Sequence, residues 1–146
     1  MGRHLIRVLI AVLTFTIGVA ISPIRFTLEI LGHGIVEDGG GAFAVAGYRS
    51  SYFVKLWRSG EVYDTPEKAN LVFQERLKEA VKVLERAPKF SEGGSKVGER
   101  AVAIIYNKAR DEQHACVLWT EGRVLVEIYS PSLMHVLDFE KHQDNY

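Results

Sequence analysis

Residues 114–130 read HACVLWTEGRVLVEIYS. Two runs rich in β-branched and aromatic residues flank Glu121-Gly122, and glycine supplies the positive φ that a two-residue hairpin loop needs. That loop sets a register. Thr120 faces Arg123, Trp119 faces Val124, Leu118 faces Leu125, Cys116 faces Glu127 and His114 faces Tyr129. Because side chains alternate along a strand, one face carries Ala115, Val117, Trp119, Val124, Val126 and Ile128. It is wholly apolar and belongs in a core. The other face carries His114, Cys116, Leu118, Leu125, Glu127 and Tyr129.

The segments on either side extend this hairpin. VGERAVAIIYN (97–107) is apolar on both sides, as a central strand is. TPEKANLVFQERLKEAVKVLERAP (65–88) has a helical pattern. Thr65 can cap it and Pro66 fits its first turn. Ala69, Val72, Phe73, Leu77, Ala80, Val81 and Leu84 form one stripe, and Pro88 ends it, which predicts a helix over 65–86. AFAVAGYRSSYFVKLWRSGEVYDT (42–65) reads as one or two strands broken at Gly47 and Ser59-Gly60. At the C-terminus, Ser130 and Pro131 open a short helix with Leu133, Val136 and Leu137 as its stripe. The expected fold class is α+β: a two-layer domain with one long helix and a short C-terminal helix on a mostly antiparallel sheet, in the order β-α-β-β-β-α. Residues 43–146 make up this domain. GHGIVEDGGG (32–41) reads as a flexible connector, so residues 26–42 are expected to be a Gly-rich tether.

The N-terminus is of a different kind. From Val8 to Ile21 there is no charged residue, and Arg3 and Arg7 precede or flank the run. Fourteen residues are long enough for a signal-peptide core and short of the roughly 20 a bilayer span uses. Counting from Leu5 to Ile24 reaches that length, with Arg7 snorkelling to the headgroups. Residues 1–25 are therefore expected to be a signal anchor, a transmembrane helix with Val8, Leu9, Leu13, Phe15, Ile17 and Val19 in the bilayer, or a signal peptide cut after Ala20. Either way the basic N-terminus stays in the cytoplasm and the domain lies outside, at the bacterial inner membrane on its periplasmic side.

The hairpin together with its neighbours, GSKVGERAVAII (94–105) and CVLWTEGRVLVEIYSPSLMHVLDFEK (116–141), resembles small bacterial proteins with an N-terminal membrane segment and a C-terminal domain. The resemblance implies a membrane-tethered, exported single domain and assigns no activity.

Charge and chemistry narrow the function. Residues 1–25 carry +3, whereas residues 26–146 hold 15 basic and 18 acidic side chains and carry −3, so no basic body exists to bind nucleic acid. The sole cysteine forms no internal disulfide. His114, Cys116 and Glu127 share the second hairpin face and are the candidates for thiol catalysis or a zinc site. A reactive thiol also needs a lowered pKa, and a metal needs more ligands than these supply. No cofactor motif is present. Leu118, Leu125 and Tyr129 on that face form an apolar strip that either the chain itself (the C-terminal helix or the 43–57 segment) or a protein partner covers. The expected function is a membrane-tethered interaction domain without catalytic activity. The alternatives are a single-span accessory subunit of a larger membrane complex and a small thiol-dependent hydrolase.

Overall fold

The computed structural model describes residues 24–35 and 40–143. These form one seven-stranded antiparallel sheet in the order β1-β2-β3-β7-β6-β5-β4. The strands are β1 (Phe26–Ile35), β2 (Gly40–Ser50), β3 (Lys55–Tyr63), β4 (Lys82–Phe90), β5 (Lys96–Asn107), β6 (Glu112–Glu121) and β7 (Val124–Ser130). Helix α1 (Pro66–Glu79) follows β3, and α2 (Leu133–His142) follows β7. The expected two-layer α+β fold is therefore corrected. Among the described residues strand (58%) far outweighs helix (22%), and the two short helices lie on opposite faces of the sheet.

Two apolar clusters show why. On one face Leu56, Val117, Trp119, Val126 and Ile128 pack with Val136 and Phe139 of α2. On the other, Leu118, Leu125, Ala101, Ala103 and Cys116 pack with Ala69, Phe73 and Leu77 of α1. A sheet whose central strands are apolar on both sides needs a cover on each.

The central hairpin keeps the predicted faces but turns one residue later. Glu121 pairs with Val124, Trp119 with Val126, Leu118 with Glu127 and Cys116 with Tyr129. Gly122 takes the positive φ (57°). The pairing has slipped by two residues, and an even slip leaves every side chain on its face.

The helix expected over 65–86 ends at Glu79. Thr65 caps its start by accepting from the Lys68 amide. After Ala80 the chain becomes β4, which pairs with β5 along its length. Val83 and Leu84 are thus exposed on an edge strand rather than buried in the helical stripe. Without β4, the backbone of β5 would be an open edge. Pro88 sits within β4, and an edge strand tolerates its missing donor.

The connector expected at 26–42 is also corrected, apart from residues 36–39, which lie outside the described residues. β1 and β2 form a ladder from Phe26↔Ser50 to Ile35↔Ala42. Gly34 and Gly41 serve close packing, Gly34 against the Phe43 ring. A Cβ on Gly41 would lie 2.6 Å from the Val62 carbonyl oxygen. Gly47 and Ser59-Gly60 lie inside β2 and β3 rather than breaking them, and Tyr52 and Phe53 form the turn between the two. At the C-terminus the cap is Ser132, not Ser130, and the helix buries His135, Val136 and Phe139 while leaving Leu133 and Leu137 partly exposed. Among the described residues no helix is long and apolar enough to cross a membrane. The run at 8–21, with Val8, Leu9, Leu13, Phe15, Ile17 and Val19, lies outside them.

Candidate functional site

Two hollows in the sheet domain hold the groups that matter here, one beside each helix. The first lies beside α1 and is lined by Cys116, Leu118 and Glu127, three of the six residues that the sequence singles out on this face. Arg76, one turn beyond Phe73 on α1, reaches down to the sheet. Its Nη1 donates to Glu127 Oε2 and its Nη2 to Glu61 Oε1, each at 3.3 Å. The Tyr63 hydroxyl donates to the other Glu61 oxygen. Burial pushes the Glu127 pKa up against the pull of Arg76. Burial would lower Arg76, but Glu127 and Glu61 together outweigh it, so the guanidinium is held charged. Tyr63 is pushed well up by burial and by its bond to Glu61. The cluster satisfies its own charges: one cation shared by two carboxylates, one of them also bonded by a phenol.

Cys116 lines the same cleft of about 440 Å³, with Glu127, Leu77, Ile105, Tyr106 and Lys108. The residue is buried, with 2% of its surface exposed. Burial, then the charge of Glu127, push its pKa well above the ordinary value, with Arg76 opposing. Thiol catalysis needs the reverse, a thiolate favoured by nearby positive charge. His114 does not join this cleft. Its Nε2 lies 2.7 Å from Glu112 Oε1, its ring stacks on Tyr129 at 6.1 Å, and its Nδ1 is buried without a partner. So Cys116 and Glu127 line one cleft, as their shared face requires, while His114 is turned to Glu112. Among the described residues no cluster of His, Cys, Asp and Glu is suited to a metal.

The apolar strip is also placed. Leu118 (2% exposed) and Leu125 (1%) lie under Phe73 and Leu77. Tyr129 is half-buried at the edge of the same cluster. The cover is α1, neither the C-terminal helix nor the 43–57 segment, and the two leucines are closed to a partner.

The second hollow, of about 710 Å³, lies at the C-terminal end of α2. Its floor is Trp119, Val124 and Val126, and its walls are Tyr48, Phe139 and Gln143. Arg58 enters from β3, Lys89 from β4 and Glu121 from the end of β6. The Lys89 ammonium lies over the Trp119 ring at 5.0 Å. Two arginines share this sheet face, and they differ. Arg100 grips Glu140 of α2 with two bonds of 2.5 and 2.7 Å and also bonds Glu85. Arg58 has no ion pair among the described residues, and its Nε is buried with no acceptor; the Gln143 side-chain oxygen is likewise buried and unpaired. A buried donor without an acceptor costs about 1–3 kcal/mol. Sequence reasoning passed over Arg58. The available signal was a cation two residues after Leu56, hence on the same strand face as a leucine that is fully buried.

No protein-family model matches the sequence, and no curated protein or solved structure matches it.

Proposed function

We propose that the chain is a binding domain without catalytic activity, tethered to the bacterial inner membrane by its N-terminal run, with the sheet domain on the periplasmic side. The occupant of the α2 recess is a protein segment that brings an acidic side chain to Arg58. The observation that carries this reading is the contrast between the two arginines. Arg100 is saturated within the chain, whereas Arg58 holds a buried, unanswered donor in an open recess floored by Trp119. An acidic group there gains a charge-assisted hydrogen bond and relieves the unsatisfied donor. Lys89 adds a second positive charge, and the apolar floor takes the neighbouring side chain of the partner. Glu121 on the rim disfavours a ligand carrying negative charge throughout, which favours a peptide with one acid among apolar residues.

The α1 cleft supports the absence of catalysis in this reading, because both of its carboxylates are engaged by Arg76 and burial favours the protonated thiol. The tether rests on the apolar run at 8–21 and the arginines that flank it. A reporter enzyme active only in the cytoplasm, fused after Tyr146, is expected to be silent, and activity would overturn the placement. A photo-crosslinking side chain at Val124, inside the recess, should give a discrete adduct in intact cells, and one at Glu75, on the outer face of α1, should not. An adduct at Glu75 alone would overturn the assignment of the recess.

A further inference from the structure

The end of the sheet where the described chain begins carries an unusual turn. Between β2 and β3, Phe53 has φ 63° and is 81% exposed, and Tyr52 beside it is 57% exposed. A bulky residue seldom adopts the left-handed region, and a phenylalanine seldom does so while pointing into water. The turn is held in this shape from several sides. The Ser50 hydroxyl accepts from the amides of Tyr52 and Val54 and meets His135 Nε2 at 3.0 Å. The Phe53 amide donates to the Ser50 carbonyl. The Tyr52 ring packs edge-on against His135. The surrounding structure therefore fixes an aromatic tip that projects outward.

The location of this tip gives it a meaning. The Ser51 amide donates to the Arg25 carbonyl at 2.7 Å, and the Arg25 amide reaches the Ser51 hydroxyl. The tip is thus hydrogen-bonded to the point from which the chain leads back to the apolar run at 8–21. α2 starts at the same end, and its Met134 is 63% exposed. Strand order places the β5–β6 turn at the same end of the sheet, with Lys108 and Arg110 exposed; β7 lies between this turn and Lys55 at the start of β3, and Arg25 precedes the far edge strand β1. Asp111 is the acid in that turn.

We infer that this end of the domain sits on the bilayer surface, with Tyr52, Phe53 and Met134 entering the headgroup region and Arg25, Lys55 and Arg110 meeting anionic phospholipid headgroups. Aromatic side chains favour the membrane–water boundary, and cations near an anionic leaflet are attracted to it. The inference rests on the tethered-domain reading, since the tether brings this end to the membrane. It also leaves the Arg58 recess, built toward the opposite ends of β6 and β7, facing away from the lipid.

The test uses the full-length chain in vesicles of mixed zwitterionic and anionic phospholipid. Cys116→Ala removes the native thiol. A polarity-sensitive fluorophore is then attached either at Phe53→Cys or at Gly93→Cys, the latter in the exposed turn before β5 at the far end. The label at position 53 should shift to the blue and be quenched by spin-labelled lipid, and the label at 93 should do neither. Lys55→Gln with Arg110→Gln, or vesicles without anionic lipid, should weaken the quenching at 53. Equal quenching at both positions, or none at either while the chain still floats with the vesicles, would overturn this inference and leave the tether standing. A blue shift at 53 that grows with protein concentration and is insensitive to spin-labelled lipid would mean self-association and overturn it as well. A chain that fails to float with vesicles would remove the tether and this inference together.

Discussion

Replacing Phe73 by Ala tests the two-sided sheet and the end of α1 together. The ring is fully buried and fills the space between α1 and the Leu118, Leu125 and Cys116 side chains. Losing it removes roughly 2 kcal/mol of transfer free energy. If the roughly 100 Å³ left behind stays open, the cavity adds about 2.4 kcal/mol at about 24 cal/mol per Å³. The floor is made of paired strands and cannot rise, but α1 can sink toward it, so the expected loss is about 3–4 kcal/mol. The Arg86 guanidinium over the ring, at 5.9 Å, is exposed and adds little. For a domain of this size such a loss lowers the melting temperature by about 10–20 °C. The matched control is Leu84→Ala. A helix reaching residue 86 would place Leu84 in the same stripe as Phe73, whereas in β4 it is 43% exposed and should cost about 1 kcal/mol or less. Thermal circular dichroism of the detergent-solubilised full chain measures both. A fall of less than about 3 °C for Phe73→Ala, or equal falls for the two variants, would refute the packing of α1 described above.

Three further outcomes follow from the α1 side. Burial raises the Glu127 pKa, so the folded protein holds that proton more tightly than the unfolded chain, and stability from this group falls as pH rises from its ordinary value of 4.5 through the raised one. Glu127→Gln should therefore match or exceed wild type by up to about 1 kcal/mol at pH 7 and lose that advantage near pH 4; a gap that does not change with pH would contradict it. The Cys116 thiol should react with maleimide slowly in the native protein at pH 7–8 and quickly in denaturant, because it is buried and held protonated, and rapid native labelling would show a thiolate. Leu125→Asp puts a carboxylate under Phe73 and should unfold the domain by circular dichroism; a folded variant would mean that α1 does not cover this strip.

The parts of the fold legible in sequence were those fixed by local parity. The two faces of β6 and β7 were correct although the turn was one residue early, because a slip of two residues preserves them. The helix start was legible from Thr65 and Pro66, but its end was not. Val81, Val83 and Leu84 suit either a helical stripe or a strand, and the choice fell to the otherwise unpaired edge of β5, with which β4 forms a hairpin across residues 91–95. The Gly-rich run 32–41 reads as a connector because composition does not distinguish flexibility from the close packing of Gly41 against Val62 and of Gly34 against Phe43. Among the site residues, the shared face of Cys116 and Glu127 was readable, and their cover was not. Arg76 becomes their neighbour only once α1 is laid over the sheet. Arg58 looked like any strand cation, since its isolation depends on which acids the fold leaves out of reach.

The most direct test of the binding role is quantitative co-purification of the full-length protein from gently solubilised membranes, comparing wild type, Arg58→Glu and Arg123→Glu. Arg58 lines the recess, whereas Arg123 lies exposed in the β6–β7 turn and carries the same charge change. All three proteins should be folded and recovered in equal amounts. Wild type and Arg123→Glu should retain a stoichiometric protein partner, and Arg58→Glu should lose it, because a carboxylate then faces the partner's acid. Retention of that partner by folded Arg58→Glu, or its equal loss from both variants, would contradict recognition through the α2 recess.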